Sequence, residues 1–397
     1  MPLDLVETLR ELVAIPSVNP MGRPVSGPEY FEYRVTDYLQ GLFERLGLPW
    51  QRQYIEPKRE NIIVRVDGEV PATEGGPLIL FEAHQDTVPV DNMIIDPWDP
   101  VVRDGRVYGR GSCDIKGGMA AMLGALARLA AEPREGRPTV VLACTVNEEH
   151  GYSGAAALDK LWNDPGSIIP RRPDVAVVAE PTDLHVVRAH KAAARWKCRT
   201  RGRASHSSRP QLGDNAIYRM CRVVAALEAY QREFVPTLPE HPRCGAATLS
   251  VGTISGGISV NTVPDECVIE IDRRVLPGEV GRDVYNQVIN FISERLSSDD
   301  LDKVIHDEPY SLSLALGDEH NGELGARLQA TAKTVFPGSE QVGVPYGTDA
   351  SVISSLGVPS VVFGPGSIDQ AHTADEWLEI SQLEQASEIL YRFLKNW

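Results

Sequence analysis

Five side chains able to hold a divalent cation, His84, Asp114, Glu149, Glu180 and His372, lie in polar loops at or soon after the ends of apolar, strand-like runs. Residues 77–81 lead into the H-x-D pair His84 and Asp86, and residues 139–146 lead into Glu148 and Glu149. Residues 174–179 run directly into Glu180, and 358–363 pass through a Gly-rich turn to His372. Zinc takes imidazole nitrogen and carboxylate oxygen in roughly tetrahedral sites, and a catalytic site keeps one position for water or substrate. Two such ions a few Å apart need one shared carboxylate to offset their repulsion. Asp114 is the candidate bridge, because the glycines of its loop, 109–118, let backbone come close to the ions. One ion would then take His84, Asp114 and Glu180, and the other Asp114, Glu149 and His372. Asp86 is expected to accept the second N–H of the His84 imidazole, which would fix its tautomer. Glu148 is read as the general base and acid, free to take a proton from the attacking water and return it to a leaving amine. Spacing alone leaves the reverse order of Glu148 and Glu149 open.

These residues need a scaffold that brings distant loops together. Short continuous apolar runs bounded by Gly, Pro and Asp are expected to be strands buried on both faces, and in such α/β sheets the ligand loops lie beyond the carboxyl ends. Helices are expected over residues 30–46 and 117–131, the second Ala-rich and opened by Gly117 and Gly118. Leu5, Val6, Leu9, Leu12 and Val13 recur at helical spacing near the N-terminus. From residue 193 to 309 the pattern changes. Arg195, Lys197, Arg199, Arg201 and Arg203 alternate with Trp196, Cys198 and Thr200, which describes a strand with one basic face. A helix over 215–234, strands over 247–251 and 266–273, a helix over 281–296 and a strand near 304 complete a βαββαβ, ferredoxin-like insert. The expected division is therefore 1–192 with 310–397 as the catalytic domain and 193–309 as the insert.

Composition narrows the classes. A chain of 397 residues exceeds what one core usually serves. Its net charge, 39 − 55 = −16, argues against a nucleic-acid or anionic-membrane binder. The insert holds 15 Lys and Arg against 16 Asp and Glu, so nearly all of the negative excess lies outside it. Its basic strand face reads first as a solvated surface and second as an attractor for carboxylate substrates. No run reaches the roughly 20 apolar residues of a membrane helix, and residues 1–20 carry no basic, continuously apolar leader, so a cytoplasmic protein is expected. Six cysteines without a C-x-x-C are expected to be free thiols.

Singly, a histidine or a glutamate pair is ordinary surface material; together, H-x-D, E-E and a Gly-flanked Asp are far more specific. The chain resembles the family of co-catalytic zinc hydrolases that includes acetylornithine deacetylase, succinyl-diaminopimelate desuccinylase, aminoacylase and glutamate carboxypeptidase. The likeness runs over nearly the whole chain, through the loops of His84, Asp114, Glu149 and Glu180, then His206, Asn261, and Gly364 to Gly366 ahead of His372. It implies an α/β, mostly parallel zinc-peptidase-like sheet with helices on both faces. It also implies that the ferredoxin-like insert is a lid and homodimerisation domain. By the same likeness His206 would steady the oxyanion, Asn261, Arg274 and Gly366 would contact substrate, and the Asp114-Ile115 peptide would be cis. The implied cofactors are two divalent ions, Zn2+ first, with Co2+ or Mn2+ as substitutes. The implied substrate is a small N-acyl amino acid or dipeptide.

The stretch from Gly364 to His372 is most similar to acetylornithine deacetylases, and so to arginine biosynthesis. Two positions depart from relatives: Gly347-Thr-Asp-Ala350 stands where desuccinylases have Gly-Thr-Ser-Asp, and Gln85 replaces the usual Thr or Ser. Desuccinylase, aminoacylase and carboxypeptidase or dipeptidase action are the alternatives within the family. A serine hydrolase is disfavoured because Gly151-Tyr-Ser-Gly154 lacks the elbow spacing, and a nucleotide-binding protein because neither phosphate loop is present. A non-catalytic metabolite-binding homologue would be favoured by a lost donor, and all are in place.

Overall fold

The computed structural model describes residues 3–397. Two compact units divide the chain: the first runs to Arg188 and includes Asp318–Val342 and Thr348–Trp397, and the second comprises Ala189–Gly317 with Gly343–Gly347. The second unit is wider than the sequence suggests because main-chain bonds between His190 and Leu316 tie its ends together.

An eight-stranded sheet runs in the order Trp50–Glu56, Arg59–Val66, Thr139–Thr145, Leu78–His84, Val175–Val178, Ser360–Val362, Val186–His190 and Gln341–Val344. The four middle strands are mutually parallel. Arg59–Val66 and Trp50–Glu56 continue the sheet antiparallel on one side, and Val186–His190 is antiparallel on the other. Those four parallel strands end the apolar runs that lead into the metal-binding candidates. Leu78–His84 and Thr139–Thr145 are buried along their whole length, as strands covered on both faces must be. Ile79, Phe81, Val140 and Leu142 face a core shared with helices Leu5–Val13, Tyr33–Leu46, Lys116–Ala130, Gly322–Lys333 and Ile380–Lys395. The alternate positions Leu80, Val141 and Ala176 are buried on the other face, where helix Asp349–Ser355 packs.

Local chemistry explains the helix bounds. Asp4 caps the first helix by accepting the Glu7 N–H at 3.0 Å. The second begins at Tyr33, later than its pattern suggests, because Tyr30 bridges Val18 and Phe31 takes φ 68°. Helix Lys116–Ala130 is buried almost all round, which its small residues permit. A Cβ on Gly117 would sit 2.5 Å from the Ser112 carbonyl oxygen, so glycine lets this helix abut the Asp114 loop. The Asp114-Ile115 peptide is cis.

In the second unit an antiparallel sheet runs Thr248–Gly256, Glu266–Val275, Ala192–Arg201 and Val304–His306, with Ser311–Leu312 also paired to Ala192–Arg201. Helices Ala216–Ala229 and Gly281–Ser293 bury Met220, Val223 and Val288 against Trp196, Cys198, Ile269 and Ile271. This is the ferredoxin-like plan. Part of the basic face of Ala192–Arg201 is neutralised by its surroundings: Arg195 pairs with Asp272 at 2.7 Å, Lys197 with Glu270 at 3.4 Å and Arg199 with Asp307 at 2.9 Å. All six cysteines are free. Among the described residues no helix is long and apolar enough to cross a membrane.

Candidate metal centre

His84 is the last residue of its strand, and Glu148, Glu149 and Glu180 follow the carboxyl ends of the two strands that flank it. His372 arrives on the loop after Ser360–Val362, in a left-handed conformation at φ 62°. Two groups of potential donors result, His84 with Asp114 and Glu180, and Asp114 with Glu149 and His372; within each, the donor atoms lie within 4.8 Å of one another. Asp114 belongs to both. Its Oδ1 is 3.3 Å from Nε2 of His84, and its Oδ2 is 3.2 Å from Nε2 of His372. Glu149 Oε1 is 3.4 Å from Nε2 of His372, and Glu180 Oε1 is 4.0 Å from Nε2 of His84. Glu148 belongs to neither group.

Divalent zinc fits these residues. Bonds of about 2.0–2.1 Å at tetrahedral angles separate neighbouring ligand atoms by about 3.3 Å, longer than a hydrogen bond of about 2.9 Å. The closest separations here match the longer value. Nε2 of His84, Oδ1 of Asp114 and Oε1 of Glu149 are buried without a hydrogen-bond partner among the described residues. Such orphaned polar atoms cost free energy unless a ligand satisfies them.

Electrostatics points the same way. Burial, opposed by His84 and reinforced by Glu180, Asp349 and Glu149, holds the Glu148 carboxyl well above its ordinary range. Burial likewise raises Glu180 and Glu149. For His372, burial favours the neutral form, yet Asp114 and Glu149 carry it up to about 11. A buried excess of carboxylate over imidazole is what bound cations would offset. His372 is about half exposed, so the cluster is open on its side.

Asp86 departs from its expected role. Its main-chain carbonyl, not its carboxylate, bonds Nδ1 of His84 at 3.0 Å, while Oδ1 stands 3.7 Å away. Oδ1 accepts the Glu148 N–H at 3.1 Å, and Oδ2 accepts the Glu149 N–H at 3.1 Å and Nδ2 of Asn19 at 2.8 Å. Two main-chain donors outcompete one imidazole for the carboxylate. Asp86 thus orients the imidazole through its backbone and the Glu148-Glu149 turn through its side chain.

Gly366 takes φ 88° and accepts the Asp183 N–H at 2.7 Å; a Cβ there would lie 2.5 Å from Sγ of Cys113. The remaining sequence candidates lie in the second unit. His206 and Asn261 are neighbours on a small ribbon in which Ser205 pairs with Val263 and Ser207 N–H bonds the Asn261 carbonyl at 3.0 Å. Nδ1 of His206 lies 2.8 Å from the Ser208 hydroxyl. Arg274 pairs with Asp272 at 3.0 Å.

Other members of the site were not read from the sequence. Glu82 shares a strand face with His84, and its Oε1 accepts the Thr145 hydroxyl at 2.5 Å; that hydroxyl lies 3.2 Å from Oδ2 of Asp349. Burial, with Asp349 reinforcing, raises the Glu82 pKa far above the carboxylate range. An acid two residues before His84 in an apolar strand was the available signal. Asn19, which also bonds Asn147 at 3.0 Å, had none.

The comparisons agree with this geometry. Residues 80–396 match the family model described as Peptidase family M20/M25/M40. An acetylornithine deacetylase of Vibrio campbellii is 31% identical over 376 residues, 90% of each chain. One of Myxococcus xanthus is 30% identical, covering 97% of this chain and 95% of its own. A tripeptidase from Staphylococcus aureus shares the fold, with TM-score 0.77, 22% identity and 98% and 97% coverage. The chain belongs to Peptidase family M20/M25/M40 and is a metallohydrolase acting on amide bonds.

Proposed function

We propose that this chain hydrolyses the amide of an N-acyl amino acid, with N-acetylornithine as the first candidate substrate. The carrying observation is the pair of donor groups meeting at Asp114, in a chain about as long as the deacetylases it resembles. Two divalent ions there, Zn2+ ahead of Co2+ or Mn2+, would polarise the acyl carbonyl and bring the pKa of the attacking water toward about 7. Glu148 takes the proton of that water and passes it to the leaving amine. Its backbone N–H, fixed on Asp86, aims the carboxylate, and burial raises its affinity for the proton it must carry. His206, Asn261, Arg274 and Gly366 bind the substrate's carbonyl and carboxylate ends, a role that rests on the family resemblance.

The second unit acts as lid and as the homodimer surface. Thr248–Gly256 is an edge strand, and Ile254, Ile258 and Val260 are exposed on it and on the turn after it, a pattern that soluble proteins usually cover. Val260→Glu should convert a sedimenting dimer to monomer; an unchanged sedimentation coefficient would move the interface elsewhere. On this reading the enzyme serves arginine biosynthesis in the cytoplasm. Turnover of N-acetyl, N-succinyl and dipeptide substrates by cobalt-loaded protein tests the assignment. Preference for N-acetylornithine supports it, whereas a preference for dipeptides makes the chain a dipeptidase.

A further inference from the structure

Glu376, four residues beyond His372, is fully buried, and its carboxylate faces backbone. Oε1 accepts the N–H of Cys113 at 2.9 Å and of Asp114 at 3.0 Å. Oε2 accepts the N–H of Gly111 at 3.1 Å and Nη1 of Arg110 at 2.6 Å. Four donors thus occupy the four acceptor positions of one carboxylate. The Glu376 carbonyl takes the Gly109 N–H at 3.0 Å as well, so a single residue grips the loop from Gly109 to Asp114 at five points. Nη2 of Arg110 reaches back to the Thr373 carbonyl at 3.4 Å, beside His372.

Nothing in this grip requires a metal ion. Asp114 has its main-chain N–H fixed on Glu376 while its two carboxylate oxygens are left facing His84 and His372. Arg110 supplies the counter-charge that lets a carboxylate sit at zero exposure. The strand Trp377–Glu379 that follows Glu376 pairs with Arg106–Tyr108, which precedes the loop, so both ends of the clamp are anchored to one small sheet.

We propose that Glu376 is the positioning residue for Asp114. It sets the shared aspartate in place before metal arrives and couples the Asp114 loop to the His372 segment. The inference rests on the reading of Asp114 as the shared ligand. Because Asp114 serves both groups, loosening its loop weakens both ions, whereas loss of His372 weakens one.

The test uses the full-length protein, stripped of metal and titrated calorimetrically with Zn2+ and Co2+. Glu376→Gln keeps the size of the side chain but turns an N–H donor toward Gly111 or toward Cys113 and Asp114. Both dissociation constants should rise roughly 10- to 100-fold, as for other residues that orient ligands, with a changed visible spectrum of the cobalt-loaded protein. Leu383→Ala, in the core behind the same segment, should lower the melting temperature while leaving both constants within about twofold. Amide exchange of residues 109–114 in metal-free wild type should already be slow, a measurement that does not depend on the variant folding. Unchanged constants in Glu376→Gln, or fast exchange of that loop in metal-free wild type, would overturn the proposal. Failure of the wild type to bind two ions would overturn the shared-ligand reading beneath it.

Discussion

Replacing Glu148 with glutamine isolates proton transfer from everything else at the site. The amide matches the carboxylate in size, and the backbone N–H that Asp86 accepts at 3.1 Å is untouched. Glu148 stands outside both donor groups, so two ions should still bind. General acid–base groups typically contribute about 10²–10⁴ in rate, about 2.7–5.5 kcal/mol of barrier. The structure selects the upper part of that range, because nearby acids are already engaged. Asp114, Glu149 and Glu180 sit in the donor groups, Asp86 has both oxygens hydrogen-bonded, and Asp349 is turned to Thr145. A fall in kcat of about 10³–10⁴, near 4–5.5 kcal/mol, is therefore expected, with KM changing little. Steady-state hydrolysis of an N-acetyl amino acid, paired with metal analysis of the same sample, measures it. A variant that retains two metals and keeps kcat within about tenfold of wild type would show that another group carries the proton.

Other perturbations probe separate parts of the structure. His372→Ala removes a donor from one group only, so calorimetry should find one weakened ion and one near normal; two unaltered sites would contradict the ligand set. Gly117→Ala gains up to about 1 kcal/mol of helix propensity but forces a Cβ to within 2.5 Å of the Ser112 carbonyl, which overpacking at about 1–3 kcal/mol outweighs. Denaturant titration should show a net loss of stability, and a gain would mean that the Asp114 loop yields easily. In the second unit Trp196 donates to Nδ1 of His306 at 3.2 Å, and burial lowers the His306 pKa from 6.5 to about 4. A histidine with a depressed folded pKa contributes stability that is full above pH 6.5 and is lost as pH falls toward 4. His306→Asn should flatten the melting-temperature profile in that window, and an equally steep profile would assign the acid lability to other groups.

Much of this protein was legible in its sequence. Continuous apolar runs 77–81, 139–146, 174–179 and 358–363 mark strands buried on both faces, and these became the four parallel strands at the centre of the sheet. Parallel strands place their carboxyl ends on one edge, so the donors that follow them were bound to gather there. Alternation of Trp196 and Cys198 with Arg195 and Lys197 likewise assigned an inner and an outer face. Tertiary structure decided partners. Periodicity states which way a side chain points but not what meets it, so Asp272, Glu270 and Asp307 opposite the basic residues were invisible until the strands were in register. Asp86 turned its carboxylate to two backbone N–H groups of a loop 62 residues away, at Glu148, and Glu376 closed on backbone more than 260 residues before it. Main-chain donors carry no residue type, so hydrogen bonds made to them leave no trace in the order of the amino acids; only the folded chain shows where they are.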